Sequence, residues 1–101
     1  MKKRYARILA EKIATSMVVD EAFAETPRRW IMNESSFTAY DYKKIHEYVN
    51  KLLSLFADNV GGKWEPILNG IKEISPNYFM GFRMQDYTIE KLNKYGYCIS
   101  I

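Results

Sequence analysis

Residues 38–60, TAYDYKKIHEYVNKLLSLFADNV, constrain the fold more than any other stretch of the chain. At about 100° per residue, Tyr42, Ile45, Val49, Leu52, Leu53, Phe56 and Val60 fall within roughly a 100° arc. Lys43, Lys44, Glu47, Asn50, Lys51, Ser54 and Asp58 take the opposite side. Thr38 and Asp41 have the spacing of a capping box, and Phe37 and Tyr42 that of a hydrophobic staple. Gly61 supplies a residue suited to the left-handed conformation that stops a helix. A helix over 38–60 would be roughly 34 Å long. A globule built from 101 residues is about 33 Å across. This helix is therefore expected to be central, with the remaining elements packed on it.

The flanking sequence predicts smaller elements. Tyr5, Leu9, Ile13 and Met17 form a helical stripe with Ala6 and Ala10 beside them. The stripe fails after Met17, where Val18 falls on the far side and Asp20 near the middle of the apolar face. The spacing predicts a first helix from about residue 3 to 25, irregular or buried on more than one side near Val18. Pro27 then discourages helical geometry at Thr26. Residues 26–37 read as a connector, with Trp30, Ile31 and Met32 as a short strand and residues 33–36 as a turn. Pro66 in a first turn, followed by Ile67, Leu68, Ile71 and Ile74, predicts a helix over 65–74, with Gly70 permitting a close approach. Residues 78–84 are aromatic-rich and read as a strand with Gly81 as a bulge. Asp86 then caps a short helix stopped by Gly96, and residues 97–101 read as a strand whose nearest partner is 78–84. The expected fold is a single helix-dominated α+β domain: a long central amphipathic helix, packed helices and a small C-terminal β element.

Composition bounds the chemistry. A hydrophobic fraction of 48% with 15% aromatics suits a packed globule. One cysteine, Cys98, excludes an internal disulfide, and with one histidine excludes the usual Cys/His structural zinc sites. His46-Glu47 opens as a zincin motif would, but Asn50 stands where the second histidine is required. His46 reads as a half-buried structural residue and Cys98 as an inert core thiol. Ser35 and Ser36 read as turn residues, and no nucleophile elbow, phosphate loop or facing carboxylate pair is present. No enzyme activity, cofactor or metal is expected. Arg7, Glu11 and Lys12 interrupt the apolar run that a signal peptide would need, and no segment approaches about 18 consecutive apolar residues. The expectation is a soluble cytoplasmic protein.

Surfaces are the remaining candidates. Residues 1–12 carry Lys2, Lys3, Arg4, Arg7 and Lys12 against Glu11, within a chain of net charge +3. Lys3, Arg4 and Arg7 share one side of the first helix, where successive phosphates would be in reach. Arg28 and Arg29 beside Trp30 suit carboxylates, phosphates or a stacked base. Lys2, Lys3, Arg4, Arg7, Arg28 and Arg29 define a candidate nucleic-acid or anion surface. Tyr48 and Leu55 form a second apolar lobe roughly 80–100° from the main arc of the long helix. With Trp30, Tyr95 and Tyr97 they define a candidate protein interface, self-association included. Lys/Asn/Ile/Tyr-rich usage resembles that of AT-rich bacterial or phage genomes. The leading expectation is a non-enzymatic protein-binding module, a small regulator or inhibitor from a bacterial or phage mobile element. The alternative is a nucleic-acid binder using the basic N-terminal and Arg28/Arg29 surfaces.

Overall fold

A computed structural model describes residues 3–25, 37–78, 80–96 and 98–100, with residues 3, 4, 23–25 and 98–100 described by backbone alone. The expected connector strand at Trp30–Met32 and its following turn lie outside these residues. Helix α1 spans Lys3–Glu25, as its stripe predicts. It carries two adjacent buried rows at i, i+4 spacing: Leu9, Ile13 and Met17, and Ala6, Ala10, Ala14, Val18 and Ala22. The small-residue row lets neighbouring backbones approach. Val18 is buried because α1 is covered on more than one side.

Helix α2 spans Ala39–Asp58. Its start is built as the sequence predicts. Asp41 donates its backbone N–H to Thr38 Oγ1 at 3.2 Å, and Thr38 donates its own to Asp41 Oδ2 at 2.8 Å. Phe37 meets Tyr42 edge-on at 5.6 Å between ring centroids, completing the staple. Tyr42 remains 52% exposed, because its ring covers the helix entry instead of entering the core. Val60 is also exposed: α2 ends at Asp58, so residue 60 no longer follows the helical arc. Tyr48, Val49, Leu52 and Phe56 are the α2 core residues, and α2 packs chiefly against α1.

Helix α2 lies between α1 and α3 and packs on both, as its expected central place requires. The protein measures 41 × 24 × 19 Å, so neither α2, at roughly 30 Å, nor α1, at roughly 34 Å, crosses its longest dimension. Alanine contributes little to a hydropathy pattern, which is why the more deeply buried helix has the weaker amphipathic signal.

After α2, Gly61 takes φ 77° and turns the chain. Strand β1 (Gly62–Lys63) leads directly into α3 (Trp64–Ile74), whose Ile67 and Ile71 enter the core. The chain turns at Ser75, whose carbonyl accepts from Tyr78 N–H at 2.9 Å. Helix α4 spans Phe82–Lys94, so Phe82, Arg83 and Met84 are helical and the strand expected over 78–84 does not form. Gly81 is the N-cap of α4, five residues before the Asp86 position predicted for it. Strand β2 (Cys98–Ser100) pairs in parallel with β1, Gly62 opposite Cys98 and Lys63 opposite Ser100. The expected terminal strand is present, but its partner is the glycine turn after α2. A two-residue strand leaves no period to read. Among the described residues the fold is thus helix-dominated, with one small parallel strand pair.

Two side-chain contacts join α4 to α1, in opposite chain order. Tyr5 stacks on Tyr95 at 4.9 Å with 7° between ring planes. Two turns further along α1, Lys12 Nζ lies 4.1 Å from the centroid of Tyr87.

Candidate functional site

A concave surface of about 620 Å³ runs between α1 and the first half of α2, with Met84 of α4 at one end. Ile8, Phe37, Tyr42, Ile45, Val49 and Met84 supply its apolar lining. Ile8 and Tyr42 are 54% and 52% exposed, so apolar surface here faces water. The polar rim comes from Arg7, Glu11, Lys12, Thr15, Ser16 and His46. Arg7 Nε donates to Glu11 Oε1 at 3.2 Å, the i, i+4 pairing of neighbouring turns. Both side chains are about half exposed, so this pair contributes little to stability. Thr15 donates its hydroxyl to the Glu11 carbonyl at 2.7 Å. Two cations, Arg7 and Lys12, stand against one carboxylate, leaving the rim mildly basic. His46 is exposed at this rim, not half-buried as its position on the arc predicts.

Of the protein-interface candidates, Tyr48 is a core residue, 5% exposed. Its hydroxyl donates to Glu21 Oε1 at 2.5 Å, and Ser75 donates to the same oxygen at 2.7 Å. Burial, reinforced by the Glu21 carboxylate, pushes the Tyr48 phenol well above the usual tyrosine range. Lys44 and Lys51 lie over its ring at 4.9 and 6.0 Å. Leu55 is half-buried and sits over Gly70 of α3, where a Cβ would overlap its methyl groups. Both halves of the apolar shoulder on α2 are therefore used inside the molecule, by α1 and by α3. Tyr95 is half-buried in its stack on Tyr5. Trp30 and Tyr97 lie outside the described residues.

Among the anion-surface candidates, Lys3 and Arg4 belong to the first turn of α1 by backbone. Arg7 is exposed and paired with Glu11. Lys2, Arg28 and Arg29 lie outside the described residues. The structure thus brings one candidate, Arg7, to the groove, together with residues to which the sequence assigned no binding role: Ile8, Phe37, Met84 and the exposed face of Tyr42. Ile8 alone left a sequence signal. It is an apolar residue among Arg7, Glu11, Lys12 and Thr15, away from the main stripe.

Among the described residues, no group of three or more His, Cys, Asp and Glu side chains is placed to hold a metal ion. No described helix is long and apolar enough to cross a membrane. Comparison of the chain with protein-family models, curated proteins and solved structures gave no match.

Proposed function

We propose that the protein is a non-enzymatic binding module that takes an amphipathic segment of a partner protein in the groove between α1 and α2. The observation carrying this reading is the pair Ile8 and Tyr42, each more than half exposed and both bordering one concave surface. A partner's apolar ridge would cover them, as an amphipathic helix does in a hydrophobic groove. Arg7 and Lys12 at the rim favour a partner whose polar face is acidic.

The test is selection from a displayed library of amphipathic helical peptides, half with acidic and half with basic polar faces, panned on the folded protein. Acidic-faced peptides are expected to dominate, to perturb backbone NMR signals of Ile8, Tyr42 and Ile45, and to lose binding to the Ile8→Glu variant. Selected peptides that bind Ile8→Glu as well as wild type would overturn the reading. Retention of the protein on duplex DNA at low salt, lost steeply as salt rises, would favour the nucleic-acid alternative instead.

A further inference from the structure

Phe82 is the first residue of α4 and is 83% exposed, the most exposed large apolar side chain among the described residues. Met80 and Gln85, on either side of Phe82 in the chain, line a pocket of about 300 Å³ between α3 and the chain entering α4. Leu68, Ile71, Tyr78 and Met80 give it apolar walls, and Gln85 lines it one turn along α4 from Phe82. A cavity of about 150 Å³ accepts a benzene ring, so this one admits the side chain of a phenylalanine. Knob and hole thus occupy the same end of one helix. A two-fold axis needs this arrangement, because each surface must serve as both donor and receiver.

Asn69 and the exposed Lys72 also line the pocket, and the first turn of α4 carries both signs of charge. Arg83 and Asp86 follow Phe82 within one turn and are both exposed. Among the described residues neither forms an ion pair. Two copies of this turn crossing antiparallel would set each Arg83 opposite the second copy's Asp86. A partner of uniform charge would leave one of the two facing its own sign. We infer that a second copy of this chain covers this end of the molecule, with each Phe82 seated in the other's pocket. This surface is separate from the α1–α2 groove, so the dimer and the peptide-binding reading stand or fall independently.

A contact built from one ring and one helical turn of each copy lies at the lower end of specific interfaces, so association belongs in the micromolar range or weaker. Sedimentation of the full chain over rising concentration tests it. The apparent mass is expected to climb towards twice that of the monomer. Phe82→Asp is expected to stay monomeric with an unchanged far-ultraviolet circular dichroism spectrum, since an exposed side chain contributes little to the fold. Arg83→Asp should weaken association roughly tenfold, and Arg83→Asp with Asp86→Arg should restore it, as expected where opposite charges fix the register. A wild type that stays monomeric at millimolar concentration overturns the inference. So does a Phe82→Asp variant that associates like wild type, or a double variant no better than the single.

Discussion

The Tyr48 hydroxyl donates to the same Glu21 oxygen that Ser75 reaches, so one carboxylate ties α1 to α2 and to the end of α3. Hydrogen bonds to charged acceptors are worth more than neutral ones, and an orphaned partner adds a desolvation cost. Tyr48→Phe keeps the ring and deletes the donor. It should lower the unfolding free energy by about 1–2 kcal/mol in urea titrations. A neutral result would mean that water replaces the hydroxyl at Glu21 without loss. The same burial makes stability depend on alkaline pH. Tyr48 and Tyr78 both ionise with greater difficulty in the folded chain, each chiefly through burial. In the unfolded chain they release protons near pH 10. Below that value both states hold the protons and the contribution is complete. Above it the unfolded state releases them first, so stability should fall as pH rises beyond about 10. Urea midpoints measured through that range check the sign, and Tyr48→Phe should flatten the fall. None of this was legible at residue 48 from one helix's periodicity. An apolar shoulder marks a side chain that leaves the main arc, but it does not distinguish a solvent-facing ring from one reaching a carboxylate 27 positions earlier.

At the scale of elements, the contact between α2 and α3 rests on an absent Cβ. Leu55 fills the space above Gly70, and a methyl group there would meet both its terminal carbons. Two effects oppose each other in Gly70→Ala. Alanine improves the helix by roughly 1 kcal/mol, whereas displacing a packed leucine costs on the order of 1–3 kcal/mol. The steric term should win in the wild-type background, giving net destabilisation of up to about 2 kcal/mol. In a Leu55→Ala background the obstruction is gone, and Gly70→Ala should stabilise by about 1 kcal/mol. Thermal or urea unfolding of all four variants measures the coupling. An identical effect in both backgrounds would show that Leu55 yields freely. The sequence made α2 and its cap legible because Thr38, Asp41, Phe37 and Tyr42 act within two turns. It also gave the suspicion of close approach at Gly70, but not the leucine that approaches. The aromatic run before α4 misled for a related reason. Tyr78 and Met80 line a pocket under α3 in irregular chain, and Phe82 projects outward, so no alternation of faces stands behind their strand-like composition. The groove was the least legible feature, since it exists only where α1, α2 and α4 meet.

Across the whole molecule, stability should be graded from the α1–α2 core outward. Ile13, Ala14 and Met17 of α1 and Leu52 and Phe56 of α2 are fully buried against one another's helices. Helix α4 contributes Leu92 and Thr88 to the interior, but it is held to α1 through rings: Tyr95 on Tyr5 and Tyr87 under Lys12. Its first turn has no side-chain cap at Gly81 and begins with the exposed Phe82. Amide groups there can open without disturbing the core, whereas those in the middle of α1 can exchange only when the helices separate. Native-state hydrogen exchange should therefore place the amides of Ile13–Met17 and Leu52–Phe56 at the global unfolding free energy, with a matching dependence on low denaturant. The first turn of α4 should exchange faster and be nearly indifferent to denaturant. Tyr5→Ala removes one ring of the stack that pins the far end of α4. It should raise exchange at residues 92–95 while leaving the α2 amides tied to global stability. Uniform acceleration through α2 would instead mean that the Tyr5–Tyr95 stack is integral to the core, and that the molecule opens as one unit.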